Sequence, residues 1–215
     1  MKKEKLVIFD WGGVFELYKD NNMESPNFFM NIAKSLGVNA DKYKERLLEY
    51  LKSDRSKSII AKTDKEVEVY VCEILDVFDL EHTIENISNL KKYFVIYSLD
   101  IPTNYEFVKY AHSLKSRCKI ALLSNCTALE KFKQDLDVTR SMFDYTYISC
   151  EIGLKKPNKD IYNLVNELII RENYEVLFID DREKNLEYPK ELGWNVHKFE
   201  NQKKAIEYIE NFLNN

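Results

Sequence analysis

The chain has 215 residues, 45% apolar and 32% charged, enough for one catalytic unit or a core with a smaller insert, but not for two large domains or a disordered chain. Its 36 acids and 32 bases give a net charge of −4 with no basic stripe, which argues against a nucleic-acid partner. Cys72, Cys118, Cys126 and Cys150 lie far apart with no Cys-x-x-Cys pair, fitting reduced, core-filling thiols better than disulfides or a zinc knuckle.

At the start of the chain, basic residues 1–5 precede an apolar run at 6–9 that Asp10 cuts short. Such a run predicts a strand; it is too short for a signal-peptide core or a membrane span, so a cytoplasmic protein without a membrane partner is expected. Residues 27–36, 41–52 and 64–78 then read as helices, and no strand signal appears before about Tyr93. That is too much chain for one crossover, so residues 16–98 are expected to form a helical cap inserted into a core of residues 1–15 and 99–215. Further strands are predicted at 120–123, 145–148 and 176–179, with a weaker one at 195–198. Helical patterns at 129–136, 159–171, 185–192 and 202–213 alternate with them. The alternation predicts an α/β fold, a doubly wound parallel sheet of Rossmann-like type with helices on both faces.

In such a sheet ligands bind beyond the carboxyl ends of the strands. Asp10, Gly12 and Gly13 follow the first strand, Ser124 and Asn125 the second, and Asp180 and Asp181 the fourth. Lys156 and Pro157 come a short loop after the third. Brought together, these groups supply three carboxylates, a hydroxyl, an amide and an ammonium. Three adjacent carboxylates repel one another unless a cation neutralises them, and a small set of hard oxygen ligands suits Mg²⁺. His82, His112 and His197 are not at ligand spacing from one another, so carboxylates must carry any metal. An ionised Asp beside Mg²⁺, a lysine and a hydroxyl can attack phosphorus in line and form an aspartyl-phosphate. Gly12 and Gly13 let the backbone turn sharply and approach a substrate closely.

Residues 6–14, 122–125, 153–157 with Ile161 and Tyr162, and 177–181 with Asn185 resemble, in order, the four motifs of the haloacid dehalogenase superfamily. The resemblance implies that Asp10 is nucleophile and metal ligand and that the Gly12 carbonyl binds Mg²⁺. It further implies that Ser124 and Lys156 hold the phosphoryl group, that Asp180 and Asp181 complete the metal site, and that Asn125 and Asn185 support it. The insert matches the position of the family's first type of helical cap. Family phosphatases usually carry a second Asp two residues after the nucleophile, as acid and base; here Gly12 stands there, as in a subgroup that includes sugar-phosphate phosphatases. A phosphatase acting on a small phosphate monoester is therefore expected. The alternatives are a 2-haloacid dehalogenase, which uses the same ester chemistry on carbon and needs no metal, and a catalytically weak phosphate-binding scaffold.

Overall fold

The computed structural model describes residues 3–16, 26–53, 64–129 and 140–215. Five strands, β1 (Glu4–Phe9), β2 (Lys119–Ser124), β3 (Tyr145–Ile148), β4 (Tyr174–Asp180) and β5 (Asn195–Lys198), form one sheet in the order β3-β2-β1-β4-β5. Every pairing is parallel, with Phe9 opposite both Leu122 and Ile179. The three central strands are buried on both faces, which explains why they read as continuous apolar runs without alternation. Alternate side chains still serve different layers. Val7, Phe9, Ile120, Leu122, Leu177 and Ile179 pack with Phe107, Ala111, Ile209 and Phe212. Leu6, Ile8, Ala121, Leu123, Val176 and Phe178 pack with Ile161, Tyr162, Val165, Leu186 and Trp194 on the other face.

The expected helices at 159–171, 185–192 and 202–213 are present as Lys159–Glu172, Glu183–Glu191 and Gln202–Asn214. The one expected at 129–136 falls almost wholly outside the described residues. In the region between β1 and β2 the described helices are α1 (Pro26–Ser35), α2 (Lys44–Lys52), α3 (Asp64–Val77), α4 (Ile84–Asp100) and α5 (Tyr105–Ser113). The strand signal near Tyr93 is overridden, because Leu90 and Phe94 are buried at helical spacing in a second apolar cluster while the Thr83 hydroxyl caps the first turn by accepting from Asn86 N, so tertiary burial and a cap outweigh β propensity. The helix α5 has the same device: Asn104 Oδ1 accepts from Phe107 N, and Phe107, Val108 and Ala111 turn inward.

The chain leaves the sheet layer at Glu16 and returns at Thr103, where the two residues form an antiparallel bridge and Asn104 N donates to Phe15 O at 2.7 Å. Met30, Leu47, Val71, Ile74, Leu75, Phe78 and Leu90 form a core of their own, and Leu129, just beyond β2, joins it. Helix α4 runs through residue 98 without a break.

Phe107 is fully buried and its ring meets those of Phe9, Phe15, Tyr110 and Phe199. Phe107→Ala is expected to lower stability by about 3–5 kcal/mol in urea denaturation; a loss below about 1 kcal/mol would show that this layer repacks freely.

Candidate active site

The strand order puts the topological switch at β1, since the chain winds outward through β2 and β3 and then returns to lay β4 on the other side of β1. The crevice this opens lies at the carboxyl ends of β1 and β4. Asp10 stands at the end of β1, its N–H donating to Ile179 O at 2.9 Å; Asp180 ends β4 and Asp181 follows it. One carboxylate oxygen from each of the three lies within 4.8 Å of the others.

Lys156 enters this cluster from the loop after β3. Its side chain is fully buried, and Nζ lies 2.8 Å from Asp10 Oδ1 and 2.6 Å from Asp180 Oδ2. The loop is held by an amide clamp: Asn125 Nδ2 donates to Lys156 O at 2.9 Å, and Lys156 N donates to Asn125 Oδ1 at 2.8 Å. The Lys156–Pro157 peptide is cis. Asn125 therefore acts through the lysine backbone, a supporting part.

The other carboxylates are anchored individually. Asp10 Oδ1 also accepts from Trp11 N at 2.7 Å. Asp180 accepts from Asn185 Nδ2 at 2.9 and 3.0 Å and from Arg182 N at 2.9 Å, and Tyr162 OH donates to Asn185 O at 2.9 Å. Ser124, nearly fully buried, ends β2. Gly12 and Gly13 lie in the turn after Asp10, where the N–H groups of Val14, Phe15 and Glu16 all point at Trp11 O, and Gly13 takes φ +75°. Of the residues singled out in the sequence, Asp10, Asp180, Asp181 and Lys156 are thus brought together with Asn125 and Asn185 bonded to them, while Ser124, Gly12 and Gly13 stand at the ends of β2 and β1. Ser149 was not singled out, although it directly follows β3: its hydroxyl accepts from Cys126 N at 2.9 Å and donates to Cys126 O at 3.0 Å, pinning the chain that leaves Asn125. The strand-end rule that picked the others also points to it.

Burial pushes the Asp10 carboxyl well above its usual range; Lys156 opposes this, while Asp180 and Asp181 add to it. Burial also raises Asp181, with Asp180 next. Lys156 is pulled down by burial, but Asp10 and Asp180 outweigh that and hold its ammonium above the usual lysine value. Lys156 thus serves Asp10 and Asp180, while Arg182 and, more weakly, Lys156 offset part of the charge at Asp181. Asp181 Oδ1 is buried without a hydrogen-bond partner, which fits a second cation held among these oxygens.

No family model and no curated protein matches the sequence. Solved structures do match its fold. A chain described as a predicted HAD-like family hydrolase from Porphyromonas gingivalis superposes with TM-score 0.66 at 22% identity, over 97% of this chain and 98% of that one. A HAD family enzyme from Bacteroides thetaiotaomicron, solved with magnesium and inorganic phosphate, gives 0.66 at 17% identity over 91% and 93%. A 2-haloacid dehalogenase from Pseudomonas syringae pv. Tomato gives 0.60 at 12% over 91% and 86%. The chain has the α/β fold of the haloacid dehalogenase-like hydrolases.

Lys156→Met leaves Asp10 and Asp180 without their ammonium, so in EDTA it is expected to lower stability by about 3–5 kcal/mol, with Mg²⁺ restoring part of the loss; unchanged stability in urea would contradict the pairing. A second expectation concerns pH. Asp181 is raised, so the folded chain binds its proton more tightly than the unfolded chain, and stability falls as pH climbs above the ordinary carboxylate value. In EDTA, wild type should therefore lose stability relative to Asp181→Asn as pH rises from about 4 to 7; parallel curves would contradict the shift.

Proposed function

We propose that the protein is a Mg²⁺-dependent phosphatase acting on a small phosphate monoester through an aspartyl-phosphate at Asp10. The observation that carries this reading is the set of three carboxylates within 4.8 Å of one another around one buried ammonium, with Asp181 Oδ1 unpartnered. Asp10, Asp180, Asp181 and the Gly12 carbonyl would hold the ion, which supplies charge neutralisation and polarisation of a phosphoryl oxygen. Trp11 N and Lys156 Nζ both bind Asp10 Oδ1, fixing the orientation of the carboxylate that would attack phosphorus. Lys156 and the Ser124 hydroxyl stabilise the charge on the transferring group; Asn125 positions the first, while Asn185 holds Asp180. Magnesium and phosphate bound in the Bacteroides neighbour support the same ligand class.

We assign the stretch from residue 16 to the Glu16–Thr103 bridge to the cap. Leu129, just downstream of Ser124 and Asn125, is buried in that stretch's own core, which supports a cap lying over this end of the sheet.

Gly12 offers no proton to the leaving group. Glu16 lies on the same turn and is 4% exposed; its backbone forms the bridge to Thr103. With no carboxyl at position 12 to give a proton, turnover should depend steeply on the leaving group.

A dehalogenase reading draws on Gly12 and on the Pseudomonas neighbour. The carboxylate cluster argues against it, because ester formation on carbon needs no cation.

Purified protein is expected to release phosphate from p-nitrophenyl phosphate only with Mg²⁺, and Asp10→Asn to reduce the rate by about 10⁴-fold or more. Alkyl phosphates should react about 10²–10⁴-fold more slowly than the nitrophenyl ester; equal rates would reveal a positioned acid. Metal-independent turnover, or chloride release from 2-chloropropionate, would overturn the phosphatase reading.

A further inference from the structure

Asp10 and Asp180 are oriented by hydrogen bonds from Trp11 N, Lys156, Asn185 and Arg182 N. Asp181 is held differently. Its own backbone N–H is the one hydrogen bond that bears on its carboxylate among the described residues, and Oδ1 has no partner, so packing contributes to fixing it. The surface against it is the α-carbon of Gly13. A Cβ at Gly13 would lie 2.5 Å from Asp181 Oδ2, 2.6 Å from Cγ and 3.1 Å from Cβ, closer than carbon approaches oxygen or carbon in a packed interior. Gly13 also holds φ at +75°, in the left-handed region that favours glycine.

We infer that Gly13 is a positioning residue for Asp181: the bare α-carbon at 13 is the seat on which the third carboxylate rests, turned toward Asp10 and Asp180. This rests on reading the three carboxylates as the Mg²⁺ site. It gives Gly13 a part distinct from the close approach to substrate that its turn first implied. Its effect is on metal affinity, transmitted through one side chain. A side chain at 13 displaces the Asp181 carboxylate and leaves Asp10 and Asp180 in place.

Gly37 supplies the control. Its φ is +76°, and a Cβ there meets nothing within 4 Å, so Gly37→Ala carries the backbone strain without the contact. Calorimetric titration with Mg²⁺ and thermal unfolding of the full chain separate the two effects. Gly37→Ala is expected to lower Tm by about 2–8 °C and to leave Mg²⁺ affinity unchanged. Gly13→Ala should lower Tm further and weaken Mg²⁺ by about 10–100-fold, the scale on which residues orienting a ligand act. Asp181→Gly removes the three atoms nearest the added methyl, so on that background Gly13→Ala should cost about what Gly37→Ala costs. If Gly13→Ala alone does not fold, recovery of folding in the double variant supports the inference, and failure of the double variant where Asp181→Gly folds overturns it. Wild-type Mg²⁺ affinity in Gly13→Ala overturns it as well, as does a Tm loss undiminished by Asp181→Gly. Asp181→Asn distinguishes the levels: if it binds Mg²⁺ as tightly as wild type, the carboxylate reading itself fails and takes the inference with it. If it binds weakly while Gly13→Ala binds normally, only the inference falls.

Discussion

Lys156 Nζ stands 2.8 Å from Asp10 and 2.6 Å from Asp180 in a fully buried setting, and with Arg182 offsetting Asp181 only in part, the raised Asp181 carboxyl marks an excess of negative charge. Much of the architecture around the strand ends is a response to that imbalance. Asn125 clamps the lysine backbone, Ser149 pins the chain that leaves Asn125, and Asn185, steadied by Tyr162, spreads the charge of Asp180. A buried charge left unpaired is strongly destabilising. The surplus of negative charge is relieved by protonation, which the raised carboxyls of Asp10 and Asp181 favour, or by a further cation of the kind proposed above.

The sheet delivers these groups to one place because β1 and β4 lie side by side in register, Phe9 opposite Ile179. Asp10 and Asp180 thus emerge at the same level of the crevice, though they are far apart in sequence. The two-sided burial of the central strands makes this register stiff, since a slip of one residue would exchange the two packing layers. Beside the crevice the chain leaves at Glu16 and returns at Thr103, and the helices between them build their own core.

The sheet was legible in the sequence because strands buried on both faces read as short apolar runs, and the site was legible because polar residues end those runs. Asp180 and Asp181 directly after 176–179 carried the strongest signal, since adjacent acids at a strand end need a cation. Helices α4 and α5 were not legible: the run from Tyr93 to Tyr97 is rich in aromatic and β-branched residues, and its helical state follows from burial of Leu90 and Phe94 against distant chain. The contact of Gly13 with Asp181 was hidden for the same reason, because it joins residues that only the β1–β4 pairing brings together. The part of Ser149 is likewise a matter of which backbone it meets in space.

The central claim is that Asp10 takes up the phosphoryl group. Rapid acid quench of the protein turning over a phosphate monoester with Mg²⁺, followed by peptide mass mapping, tests it most directly. The expected result is the mass of one phosphoryl group on the peptide that contains Asp10, removed by hydroxylamine and absent without Mg²⁺. Turnover of the ester without that adduct, or with the adduct on another residue, would contradict the account.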